Sequence, residues 1–286
     1  MTDHIEIKVH PKEKLYFNLK VIAAVLGYGG IFFAISAAVS GGAERSMAFL
    51  PLLIYASLIG LYLFFSFGIL IGYIQGNSVK VNAKQFPEVH NIVVRQSKQL
   101  GIDKVPDVYL MQNEGLNAFA ARFSGTNYVV IFSEIFEEAY ENNLATVEFV
   151  IGHELGHIKR KHMSKKLILF PSFFIPLLNR AYSRGCEFTC DNIGAALSPA
   201  GVRSGLLMLA SGKKLWTKVN LQRFVEQEQT EFGFWFWFAE KFSTHPRLSK
   251  RVSRYKLVET ASRPRFAEPA PVEKPASDHS AFLPKN

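Results

Sequence analysis

The sequence predicts a mainly α-helical α+β protein with a small antiparallel β-sheet, preceded by an N-terminal transmembrane helical hairpin. Three observations lead there. Two long apolar runs near the N-terminus carry no charge, several short strand-like stretches lie between residues 105 and 132, and helical periodicity marks much of the chain beyond residue 132. Hydrophobic residues make up 48% of the 286, with 25 phenylalanines, which is high for a soluble enzyme.

The apolar runs come first. Val21–Ser40 and Ala48–Ile74 are both charge-free, and a membrane span needs about 20 apolar residues. A cleaved signal peptide is an alternative for the first run, since "AISAA" offers small residues. The run begins late, however, and a second follows almost at once, which favours a hairpin. Lys8, Lys12, Lys14 and Lys20 precede it and Lys80 and Lys84 follow it, whereas the connecting loop has Arg45 offset by Glu44. Positive-inside reasoning places both ends in the cytoplasm. The expected division is a cytoplasmic tail over 1–20, the hairpin over 21–76, a catalytic domain over 77–258 and a disordered Pro-rich tail over 259–286.

Beyond the hairpin, "FPEVHNIVVRQSKQLGI" puts Phe86, Val89, Ile92, Val93 and Leu100 on one helical face and ends in Gly101. "VPDVYLMQ", "LNAFAARF" and "NYVVIF" read as strands, the last two joined by the turn-like "SGTN", and Ser133 opens a short helix. A longer helix starts at Asn142 or Asn143 and ends in Lys159, Arg160 and Lys161, cations suited to its dipole.

That helix carries "VIGHELGHIKRKH". His153 and His157, four apart, share one face and could grip one metal ion, and Glu154 between them is angled toward the open side. His162, five beyond His157, falls off that face and is given no metal role. A catalytic zinc site needs a third protein ligand. "SRGCEFTCD" supplies Glu187 for it, and Asp191, four later on the same face, to hydrogen-bond the outer nitrogen of a ligand histidine. Cysteine ligation is the competing metal reading, but Cys186 and Cys190 lack the usual zinc spacing, and two cysteines cannot form a disulfide framework.

Two more stretches are apolar without being spans. "LILFPSFFIPLL", Leu167–Leu178, is broken by Pro171 and Pro176, and reads either as a bend dipping into the membrane or as a core segment. "FGFWFWF", Phe232–Phe238, suits the lipid interface or the wall of an apolar groove. The net charge of +9 comes with no nucleic-acid-binding motif, so a basic domain beside anionic lipid is the simpler reading.

Four blocks in order, "LNAFAARF", "VIGHELGHIKRKH", "SRGCEFTCD" and "STHPRLSKRV", resemble those of the HtpX-type membrane zinc peptidases. That group, peptidase family 48 of the metallo class, also includes the CAAX prenyl proteases. The resemblance covers about Phe86 to Val252. It implies a zincin-like domain of the gluzincin type, with one Zn2+ held by His153, His157 and Glu187, and Glu154 as general base. It also implies a catalytic role for His245, with Arg251 nearby, as a donor to the tetrahedral intermediate. Asn117, Ala118, Phe119 and Ala120 would pair with an extended polypeptide substrate. Substrates would be misfolded or membrane-associated proteins, hence quality control. A dedicated CAAX-type processing protease and a membrane adaptor with structural zinc are the alternatives. The chain departs from the pattern in two places: only the proline-broken run stands where HtpX-type proteins usually carry two spans, and Cys190 replaces the usual alanine.

Overall fold

The computed structural model describes residues 5–113, 117–141 and 144–255. The expected helix starts at Asn142 and Asn143, Leu116 of the first block, and the tail over 259–286 lie outside the described residues.

Helices α1 (Pro11–Ser40) and α2 (Ala43–Asn77) form the hairpin, turning at Gly42, whose positive φ of 88° a glycine accepts without strain. At 1.5 Å per residue each is longer than the bilayer's hydrocarbon core. Their apolar side chains are largely exposed, and both helices are long and apolar enough to cross a membrane. α1 begins ten residues before the apolar run, because His10 caps it by accepting from the Lys12 amide and Pro11 sits in its first turn.

Four strands follow: β1 (Val79–Lys80), β2 (Asp107–Met111), β3 (Ala118–Phe123) and β4 (Thr126–Phe132). They pair in the order β1-β2-β4-β3. The sheet is mixed where an antiparallel one was expected. The β3–β4 hairpin is antiparallel, but β4 lies between β3 and β2 and runs parallel to β2. This leaves β3 at an edge. β4, buried along most of its length, reads "YVVIF" without alternation because both sheet faces are covered. On one face Tyr109, Tyr128, Val130 and Phe132 meet Ile71 and Ile74 at the end of α2. On the other, Val129 and Ile131 face the main core.

Helix α3 (Pro87–Gln99) buries Val89, Ile92 and Val93, the face its periodicity marks, and stops at Gly101 with φ 59°. α4 (Ser133–Glu141) starts at the expected serine. α5 (Leu144–Lys159) is buried on nearly all sides, as a central helix must be. It packs between α7 (Leu178–Leu197) and α8 (Gly201–Ser211).

Between α5 and α7 lie α6 (His162–Ile168) and a 3-10 turn over Phe170–Phe174, neither of them a span. Leu167, Ile168, Phe170, Phe173 and Phe174 are exposed there, while Pro171 packs on Gly27 of α1. Helices α9 (Leu221–Thr230), α10 (Phe234–Phe242) and α11 (Leu248–Ser253) complete the described chain. α10 buries none of its residues and exposes Phe234, Trp235 and Trp237.

Candidate metal centre and active site

The site is built where α5 crosses α7. Two glycines on α5 allow the helices to approach. A Cβ on Gly152 would lie 3.1 Å from the Gly194 Cα, and one on Gly156 would lie 3.2 Å from Cys190 Sγ. The "HELGH" spacing thus does two things: it sets both imidazoles on one face, and it thins the adjoining face so that α7 comes close.

His153, His157 and Glu187 converge. His153 Nε2 lies 3.3 Å from His157 Nε2 and 3.4 Å from Glu187 Oε2, and His157 Nε2 lies 3.5 Å from Glu187 Oε1. Glu187 and His153 are buried, His157 half-buried. Burial would raise the Glu187 pKa, but hydrogen bonds to His153 and His157 hold it well below the carboxylate range.

Asp191 faces the other nitrogen of His153, with Oδ1 3.0 Å from Nδ1. Arg251 donates to the same carboxylate, Nε to Oδ2 at 2.8 Å and Nη2 to Oδ1 at 2.6 Å. Burial alone would raise the Asp191 pKa, yet the Arg251 charge and the His153 hydrogen bond lower it. Arg251, expected near the donor His245, has its fork on Asp191, while Nη1 stands 3.9 Å from Glu187 Oε2 in the wall of the cavity that His245 also lines.

A cavity of about 350 Å³ opens beside the trio, lined by Glu154, His245, Asn117, Ala118, Phe149 and Leu248 among others. His245 is exposed, with Nε2 3.6 Å from Glu187 Oε1. Of the four expected substrate-binding residues, Asn117 and Ala118 reach the cavity. Phe119 and Ala120 lie further along β3, where Phe119 packs edge-on to Phe132.

Two residues that sequence reasoning left out stand at the site. His162 brings Nδ1 to 3.0 Å from His157 Nδ1, and its Nε2 lies 3.3 Å from Glu13 Oε1. Other groupings, His157–His162–Cys190 and Glu13–His162–Cys186, are also compact enough for a metal. In both groupings the thiol is buried, which pushes Cys186 up to about 12 and Cys190 well above its ordinary value. Glu13 Oε1 is also held by Arg160.

The family model for peptidase family M48 matches residues 83–179, which includes β3 and the two histidines and stops short of Glu187. Among curated relatives, the plastoglobule-localized metallopeptidase 48 of Arabidopsis thaliana chloroplasts is 26% identical over 174 residues, 54% of this chain and 49% of its own. The chain therefore spans about half the length of that relative. A protease HtpX homolog of Gemmatimonas aurantiaca is 27% identical over 236 residues, covering 69% of this chain and 82% of its own. One from Pyrococcus abyssi is 24% identical over 229 residues, covering 64% and 77%. The match falls on the segment that carries the converging histidines, and the relatives that share most of their length with the chain are HtpX homologs, so the chain is similar to the HtpX-type metallopeptidases of family M48.

Proposed function

We propose that this protein is an integral-membrane zinc endopeptidase, with His153, His157 and Glu187 holding one zinc ion. The observation that carries the reading is the spacing of the donor atoms. Zinc bonds of about 2.05 Å at tetrahedral angles put neighbouring ligand atoms about 3.3 Å apart. The two imidazole Nε2 atoms here are 3.3 Å apart, and each faces its own oxygen of the Glu187 carboxylate, at 3.4 and 3.5 Å. Two imidazoles and a carboxylate are also a common catalytic zinc set, which keeps one position open.

When bound, zinc supplies Lewis acidity to a peptide carbonyl and to a water nucleophile. Glu154, in the cavity wall, takes the proton from the attacking water and delivers it to the leaving amine. His245, exposed at the cavity, donates to the developing oxyanion. Arg251 contributes from behind, neutralising Asp191, which in turn fixes the His153 ring. An extended substrate adds to the β3 edge, whose start, Asn117–Ala118, opens on the same cavity.

The surroundings support a membrane setting with the site on the cytoplasmic side, following the lysine distribution. The proline-broken segment dips into the bilayer beside α1. Pro171 meets Gly27, and Tyr28 Oη donates to the Ile168 carbonyl at 2.8 Å, some 10 Å along α1 from Val21. The substrates are membrane-associated or misfolded polypeptides, and the role is proteolytic quality control.

The test compares the purified wild-type protein with Glu154→Gln, scoring bound zinc and casein cleavage with and without chelator. The expected result is one zinc per chain in both, cleavage abolished by chelator in the first, and cleavage lower by 10²-fold or more in the second. Full activity in the variant, or cleavage indifferent to chelator, removes the reading.

A further inference from the structure

We propose that Glu13 on α1 and His162 on α6 are positioning residues for His157, so that the first turn of a membrane-crossing helix completes the metal centre. The proposal rests on the reading of His153, His157 and Glu187 as the metal-holding trio.

The argument is a proton count. An imidazole that offers Nε2 to a metal carries its hydrogen on Nδ1. For His157 that hydrogen points to His162 Nδ1, 3.0 Å away, which must then be the bare acceptor. The hydrogen of His162 accordingly sits on Nε2, facing Glu13 Oε1 at 3.3 Å. The reverse assignment sets two N–H groups against each other and a lone pair against a carboxylate. Glu13 therefore fixes the tautomer of His162, and His162 fixes the ring of His157.

Neither group is incidental. Glu13 and His162 are each 1% exposed. Arg160 donates to Glu13 Oε1 from Nε at 3.1 Å and Nη2 at 2.8 Å, so the buried carboxylate is compensated. The arrangement parallels the other ligand, since His153 leads directly to Asp191 and Arg251. Each ligand histidine thus ends in a buried carboxylate held by an arginine, one of them through a second imidazole.

The chain also provides for the approach of α1. A Cβ on Gly185, two residues before Glu187, would stand 2.8 Å from the Glu13 amide nitrogen and 2.9 Å from its Cα. Around that contact the N-terminal segment is tied along α7 in antiparallel order. Asn192 Nδ2 donates to the Lys8 carbonyl, the His10 amide to Thr189 Oγ1, and Lys20 Nζ to Asn179 Oδ1.

The experiment uses full-length protein in detergent, with zinc affinity measured by competition against a chromogenic chelator and melting measured on the chelated form. Glu13→Gln keeps the size of the side chain and removes its charge; His162→Phe keeps a ring and removes both nitrogens. We expect zinc to bind 10–100-fold more weakly in His162→Phe and about 10-fold more weakly in Glu13→Gln. The melting gain that zinc confers, measured for each variant against its own chelated form, should shrink in step. Unchanged zinc affinity in Glu13→Gln overturns the role of Glu13, and unchanged affinity in His162→Phe overturns the relay. Should His162→Phe fail to fold, His162→Gln, which can accept from His157 but cannot pass the contact on in the same geometry, is read by the same criterion with about 10-fold weakening expected. Wild-type protein that binds no zinc overturns the metal reading itself, a separate result.

Discussion

Gly156 lies against Cys190: a Cβ on the glycine would stand 3.2 Å from the cysteine sulfur and 3.3 Å from its Cα. The second distance matters more, because backbone yields less readily than a side chain. Gly156→Ala should force α5 and α7 apart by a few tenths of an ångström, costing about 1–3 kcal/mol. Since the two helices carry the three candidate ligands, zinc affinity should fall as well. Urea melts and chelator competition measure both; an unaltered midpoint and affinity would show that the close crossing is not needed.

Asp191 joins His153 to Arg251 in the buried interior. Asp191→Ala leaves a buried guanidinium with its principal partner gone, at a cost of about 3–5 kcal/mol. Chelated protein should show the loss, because it does not depend on metal. A chelated variant that melts like the wild type would mean Arg251 finds water or another acceptor.

His10 is pushed down to about 4, first by burial and then by the Arg254 and Lys12 charges, with Glu13 opposing. Its neutral Nδ1 accepts from the Lys12 amide and caps α1. A base with a depressed folded pKa stabilises above its unfolded value of 6.5, and the contribution is lost as pH falls through 4. Stability should therefore decline between those limits, and less so in His10→Asn, whose amide oxygen caps without titrating. Parallel melting-versus-pH curves for the two proteins would exclude the effect.

Trp235 and Trp237 are exposed on α10, which is tied to the start of α7 by Arg184 donating to the Lys241 and Ser243 carbonyls and by Arg180 stacking on Phe242. With the remaining tryptophan removed by Trp216→Phe, fluorescence in vesicles containing brominated lipid should be quenched. Undiminished emission would place α10 away from lipid.

Much of the site could be read in the sequence, because local spacing encodes it. His153 and His157 share a face at i and i+4, as do Glu187 and Asp191, and a helix turns each spacing into an alignment. His162 escaped the same argument because the helix does not continue to it. α5 ends at Lys159, and Lys161 has φ 53°, so the chain turns and returns His162 to the site. Glu13 lies far away in sequence among residues that read as a tail, and such a contact leaves no periodic trace. One hint was present in Gly185, a glycine within a helical stretch, which usually marks a close approach. The parallel β2–β4 pairing was hidden for a similar reason, since strand order depends on contacts between distant segments.

The position of β3 at the sheet margin has a last consequence. If substrates add to it as proposed, its outward amide and carbonyl groups are the same whatever side chains a visitor carries, and selection there would work by conformation and hardly by wording. A polypeptide that has kept its native pairings offers nothing to dock, whereas one that has come undone does. Damage itself would be the recognition signal.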